Sequence, residues 1–207
     1  MDFLTNQNII FYIIAYLVGS IPFGVLLAKN FAGVDIQQSG SNSIGATNVL
    51  RVVKQTNPSL AKKLGITTVL LDALKGALVL LVAMMFGISQ ETLWAIAVLS
   101  VLGHCYSAFL KFEGGKGVAT GLGVFLVLIP IPTLIGAIVW AFCVKVLKIS
   151  SLSSLLGLTS IVITTVFLNN GVGVDSNAPV YIIAFVIYYK HIPNVIRMIQ
   201  GKEGKVA

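Results

Sequence analysis

Three stretches of this chain carry the polar and glycine-rich residues from which an anion site is built. The first reads Ser39-Gly40-Ser41-Asn42-Ser43-Ile44-Gly45-Ala46-Thr47-Asn48-Val49-Leu50-Arg51. Glycines and small residues let backbone N–H groups turn toward one point and form a concavity for an anion. Ser41, Ser43, Thr47 and Asn48 offer further donors, and Arg51 adds a planar, permanently charged fork suited to phosphate. The second stretch is Gly114-Gly115-Lys116-Gly117, which opens directly into an apolar run starting at Val118. Free N–H groups at a helix start, the positive end of the helix dipole and a lysine together favour phosphate. A Walker A loop would need a hydroxyl after the lysine, and Gly117 stands there, so nucleotide hydrolysis is not supported. His104 precedes Lys116 by twelve residues, near the end of another apolar run. The third stretch is Lys190-His191-Ile192-Pro193-Asn194-Val195-Ile196-Arg197. There Asn194 and Arg197 share a face if a helix continues through Pro193. Singly, each stretch also fits a turn, a structural histidine or a solvated basic tail. Together they suit a phosphorylated substrate that stays in water while its reaction partner stays in lipid.

The elements that must position these residues are membrane helices. The 207 residues are 57% hydrophobic and 10% charged, against roughly 25% charged in a soluble domain. The apolar runs are continuous, as in Val79–Phe86, and lack the alternation of a barrel strand. The reading is therefore an all-α, polytopic membrane protein, with residues 1–207 forming a single transmembrane helical domain. Candidate spans are 8–28, 65–86, 93–109, 151–168 and 180–189. Residues 118–147 would make one helix of about 45 Å, too long for a core of about 30 Å. Pro130 and Pro132 split it, and two helices over 118–129 and 132–147 are expected. That makes seven. With seven spans, thirteen of the fourteen Lys and Arg residues fall on one face, and the opposite segments hold only Asp2, Glu91 and Asp175. The positive-inside rule then puts the N-terminus outside and the C-terminus in the cytoplasm. The net charge of +7 follows this membrane rule, so it is no sign of a nucleic-acid partner. No base precedes Lys29, so the first apolar segment reads as retained and not as a cleaved signal. Cys105 and Cys143 have no metal-type spacing. The fourteenth base, Lys75, lies inside a span three residues after Asp72, where the two can pair. They read either as a structural pair or as support beneath a site.

The motifs resemble the bacterial acyl-phosphate-dependent glycerol-3-phosphate acyltransferases. The resemblance runs through Ile21-Pro22-Phe23-Gly24, Gly40-Ser41 with Gly45-Ala46-Thr47-Asn48 and Arg51, Leu71-Asp72 with Leu74-Lys75-Gly76, and Gly114-Gly115-Lys116-Gly117-Val118-Ala119-Thr120. It implies seven helices in the bacterial inner membrane, with the active site facing the cytoplasm. It also implies transfer of a fatty acyl group from long-chain acyl phosphate to glycerol 3-phosphate, giving lysophosphatidic acid for phospholipid synthesis. No metal or organic cofactor is implied, and a soluble enzyme that makes acyl phosphate is an expected partner. Carried over residue by residue, Lys116 and His104 are the candidate catalytic pair. Ser41, Gly45, Thr47, Asn48, Arg51, Gly114, Gly115, Gly117 and Asn194 are the candidate substrate contacts. This chain departs from the family pattern at Asn42-Ser43 (usually Gly-Asn), at Ser107 (commonly proline) and at Glu113 (often lysine). The other acyltransferase signature, His-x-x-x-x-Asp, is absent, since Phe109 and Ile196 stand five residues after the two histidines. A small transporter, the rival class, would place its polar groups near mid-membrane on paired repeats, and no internal repeat is evident.

Overall fold

The computed structural model describes residues 6–168, 173–174 and 176–205. Asp2 and Asp175, used above for the charge balance, lie outside the described residues. Among the described residues, ten α-helices follow in order: α1 Gln7–Ser20, α2 Phe23–Ala32, α3 Ala46–Val53, α4 Pro58–Met85, α5 Gln90–Cys105, α6 Val118–Leu128, α7 Pro130–Leu147, α8 Ser150–Leu168, α9 Ala178–Lys190 and α10 Ile192–Ile199. A short 3₁₀ turn, Ala108–Leu110, follows α5.

Local chemistry sets the ends. Asn6 and Asn57 cap α1 and α4 through their side chains, and Pro58 starts α4 where no N–H is needed. Pro22 interrupts the first apolar run, so α1 and α2 share one 26-residue span instead of forming one regular helix. The break between α6 and α7 falls at Ile129, and α7 begins at Pro130, two residues before the expected start. At N1 the missing proline N–H costs no intrahelical bond, so both prolines fit within the first turn. α4 begins seven residues before the predicted 65, because Lys62 and Lys63 extend the helix beyond its apolar stretch. The last span bends by 49° at His191 and continues as α10 through Pro193, which sits in its first turn.

Helix pairs touch backbone to backbone at small residues, as membrane helices do. Gly19 and Gly103 let α1 lie against α5, Gly123 sits on the Ala73 carbonyl of α4, and Gly136 meets Gly157 between α7 and α8. The polarity is inverted relative to a soluble bundle. Asp72, Lys75, Ser100 and His104 are buried, whereas Ile13, Leu70, Leu78, Ile138, Phe142, Phe167 and Phe185 are exposed along the outside. Such a continuous apolar exterior belongs in lipid. Among the described residues, five spans are long and apolar enough to cross a bilayer, and the bent pair α9–α10 supplies a sixth. α6 has 11 residues and measures about 16 Å, short of the roughly 30 Å core. It is wedged against α4, where Gly76 meets Thr120 and Val124.

Candidate active site

The polar loops and helix ends converge on one cleft of about 670 Å³. Its polar lining includes Ser41, Thr47, Arg51, His104, Lys116, Ser150, Ser151, Asn194, Arg197 and Glu203. Its apolar lining comes from within helices: Val69 of α4, Leu122 and Phe125 of α6, Trp140 of α7, Leu158 and Ile161 of α8, and Ile187 of α9. One cavity therefore joins a water-compatible end to a lipid-compatible end.

Loop 39–45 is held in shape by a single amide. Asn48, 1% exposed, accepts from the Ser41 N–H at 2.8 Å and donates to the carbonyls of Ile36, Ser39 and Ser43 at 2.9, 3.0 and 2.9 Å. The Asn48 side chain, expected as a substrate contact, is thus occupied with the loop itself. Asn48→Asp keeps the acceptor and removes every donor to those carbonyls. Leaving buried acceptors unpaired costs about 1–3 kcal/mol, so this variant is expected to lower the thermal unfolding midpoint. The family departure at Asn42 is absorbed by backbone geometry. Asn42 adopts φ 56°, and asparagine tolerates the left-handed region better than other non-glycine residues.

The glycine-lysine loop folds back over the end of α5. Lys111 and Phe112 turn the chain through positive φ, and Ser107 stabilises the turn by donating to the Ser20 carbonyl at 2.6 Å and accepting from the Phe109 N–H at 3.2 Å. That is what stands in place of the family's proline. Gly115 donates to the His104 carbonyl at 3.0 Å, and a Cβ on Gly115 would collide with the His104 ring. Gly114 packs on the same carbonyl and on Cys105. Gly114 and Gly115 are therefore brought against His104 and are not among the cleft-lining residues, unlike the other expected contacts. Gly117 caps α6 at φ 81°, a conformation that glycine adopts without strain.

Three helix starts reach the cleft: Gly45 to Thr47 of α3, Gly117 to Ala119 of α6, and Ser150–Ser151 of α8. Neither α3 nor α6 has a side-chain cap, so their N–H groups and dipoles favour an anion there. Thr47 Oγ1 lies 3.1 Å from Ser150 Oγ and joins two of these starts. The side chains of Lys116 and Arg51 have no hydrogen-bond partner among the described residues. Burial pushes the Lys116 ammonium down to about 8, Glu203 opposes that, and Arg197 and Arg51 reinforce it. Such a group gains from an arriving dianion.

The residue that sequence reasoning missed is Glu203. It accepts from Ser151 Oγ at 2.6 Å, Asn194 Nδ2 at 2.6 Å and Arg197 Nε at 2.8 Å, and so ties the C-terminal segment to α8 and α10. Burial works against its ionisation, but these donors hold its carboxyl below the ordinary value. Its signal was available, as the lone acid between Lys190 and the end of a basic tail. Among the described residues, no three His, Cys, Asp or Glu side chains gather as metal ligands would.

The family described as glycerol-3-phosphate acyltransferase matches residues 9–201. A glycerol-3-phosphate acyltransferase of Aliarcobacter butzleri is 74% identical over 206 residues, and one of Sulfurimonas denitrificans is 60% identical, each alignment covering 100% of both chains. The crystal structure of PlsY (YgiH), an integral membrane glycerol 3-phosphate acyltransferase, in its glycerol 3-phosphate form superposes with a TM-score of 0.86 at 35% identity. That match covers 98% of this chain and 96% of the other. Its lysophosphatidic acid form gives 0.84.

Proposed function

We propose, because the chain belongs to the glycerol-3-phosphate acyltransferase family, that it transfers a fatty acyl group from acyl phosphate to glycerol 3-phosphate, releasing lysophosphatidic acid and phosphate. The observation that supports this best is the mixed lining of the cleft, with unpartnered Lys116 and Arg51 beside three helix starts and an apolar wall running between helices. Acyl phosphate is already activated, so positioning and charge stabilisation carry most of the work. Lys116, Arg51, Ser41 and the amides of the helix starts hold the phosphates, Asn194 orients the glycerol backbone, and the acyl chain lies along Leu122, Phe125 and Leu158. The glycerol hydroxyl oxygen bonds to the acyl carbon, the bond from that carbon to the phosphate oxygen breaks, and Lys116 stabilises the departing phosphate. The hydroxyl proton passes to His104 or to a substrate phosphate oxygen.

The same reading assigns residues 1–207 to one domain in a bacterial inner membrane. α6 completes seven crossings, with the N-terminus outside and the cleft facing the cytoplasm. The distribution of lysine and arginine supports this orientation. A soluble enzyme that makes acyl phosphate supplies the donor.

Purified protein in lipid, given labelled glycerol 3-phosphate with either palmitoyl phosphate or palmitoyl-CoA, tests the donor. Lysophosphatidate from the phosphate donor alone is expected. Product from CoA alone would retain acyl transfer and discard acyl phosphate, and no product from either would remove the enzymatic reading.

A further inference from the structure

Asp72, Lys75 and His104 form a buried cluster where α4 meets α5, at 3%, 3% and 4% exposure. Lys75 Nζ has three neighbours at hydrogen-bond distance: Asp72 Oδ1 at 2.8 Å, the Ile21 carbonyl at 2.8 Å and His104 Nδ1 at 2.9 Å. An ammonium has three N–H donors and no acceptor, so three donors meet three acceptors. The Asp72 carboxylate and the Lys75 ammonium neutralise each other at membrane depth, which leaves no counter-charge for an imidazolium. His104 is then neutral, its Nδ1 accepts from Lys75, and its one proton sits on Nε2. That nitrogen faces Gly115, at the point where an added Cβ would strike it.

His191 is the reverse case. Its Nδ1 lies 2.7 Å from the Ile187 carbonyl, which only accepts, so its proton sits on Nδ1. The two histidines of the chain therefore carry opposite tautomers, and each serves as the reference for the other.

We propose that Lys75 is a positioning residue for acyl transfer: it fixes His104 as the Nε2–H tautomer, so that His104 works as a hydrogen-bond donor beside the glycine-lysine loop and not as a proton acceptor. The kinetic half of this proposal rests on the acyltransferase reading; the tautomer half rests on the hydrogen bonds alone. With Lys75 replaced by methionine, the ring nitrogen loses its donor. Asp72 Oδ1, 3.6 Å from Nδ1, is then the neighbour left to bond it. A carboxylate only accepts, so Nδ1 takes up a proton and the neutral Nε2–H state is lost, whether the ring's own proton moves or Asp72, freed of Lys75, becomes the counter-charge of an imidazolium.

Nitrogen-15 NMR of the full chain in lipid, labelled at histidine, reads the tautomers directly, with His104→Gln to assign the signals. The wild type is expected to show one Nε2–H histidine, lost in His104→Gln, and one Nδ1–H histidine. Lys75→Met is expected to place a proton on Nδ1 of His104 alone and to lower kcat about tenfold, as loss of a supporting group does, with KM for glycerol 3-phosphate little changed. Lys75→Arg, which keeps donors and adds no acceptor, is expected to restore the wild-type tautomer and most of kcat. An Nδ1–H His104 in the wild type overturns the proposal. So does a Lys75→Met protein whose His104 Nδ1 stays unprotonated, or one that gains the Nδ1 proton at full kcat. Should Lys75→Met fail to fold, as an altered His191 signal would reveal, the wild type and Lys75→Arg decide alone, and Nδ1–H in either overturns it. Expected tautomers in a wild-type protein that transfers no acyl group would instead sink the acyltransferase reading.

Discussion

Lys116→Met is expected to lower turnover by about 10²-fold or more, the usual cost of removing a group that meets charge developing in the transition state. The lysine stands at the start of α6 and lacks a hydrogen-bond partner among the described residues. It is poised near neutrality, with its ammonium pushed down to about 8 by burial. The sign of its pH dependence follows. Protonated lysine is the form that stabilises phosphate, so kcat/KM in the free enzyme is expected to fall as pH rises through about 8. Lys116→Arg keeps a charge that no accessible pH removes and should abolish that limb while retaining more activity than methionine. Steady-state rates across pH for the three proteins check this. A methionine variant near wild-type turnover removes Lys116 from the mechanism.

Glu203→Gln carries the second large effect. Hydrogen bonds to a charged group are worth about 1.5–3 kcal/mol, and Glu203 takes three, from two helices, with its side chain 9% exposed. The amide has one acceptor oxygen and brings two donors to partners that are themselves donors, so Asn194 and Arg197 lose their fixed orientation. A positioning loss of about 2–3 kcal/mol corresponds to roughly 30- to 160-fold in kcat/KM. It should appear chiefly as a higher KM for glycerol 3-phosphate, together with a lower unfolding temperature in detergent. Unchanged kinetics would restrict Glu203 to fastening the tail.

Much of this was legible in the sequence because lipid simplifies the code. Continuous apolar runs marked the helices, and Pro130 marked the break between α6 and α7. The kink at Pro22 and the whole of α3 were harder to see. α3 is eight residues in a loop read for its glycines and hydroxyls, and its helical face, Val49, Val52 and Val53, becomes apparent only once α4 is there to cover it. The site residues were found by type, while their tasks depended on contacts. Asn48 looked like a ligand because amides bind phosphate, yet four neighbouring backbone groups claim it first. Gly114 and Gly115 looked like anion amides, and the fold sets both against His104, with the Gly115 N–H on the His104 carbonyl. Glu203 was hidden in a tail whose basic composition suggested solvent, since sequence gives no hint that Ser151, Asn194 and Arg197 arrive at one carboxylate.

Part of the apolar wall of the cleft is left uncovered by the fold. Val69 is 40% and Trp140 41% exposed, and both line the cavity. On the acyltransferase reading, a chain-bearing reactant enters past these side chains laterally, without leaving the bilayer, and a chain-bearing product departs the same way. Its supply is then governed by its mole fraction in the membrane and by two-dimensional diffusion. Glycerol 3-phosphate, by contrast, is counted per litre of water. Adding inert lipid at fixed total amounts should stretch the saturation curve of the donor and leave that of the acceptor where it was.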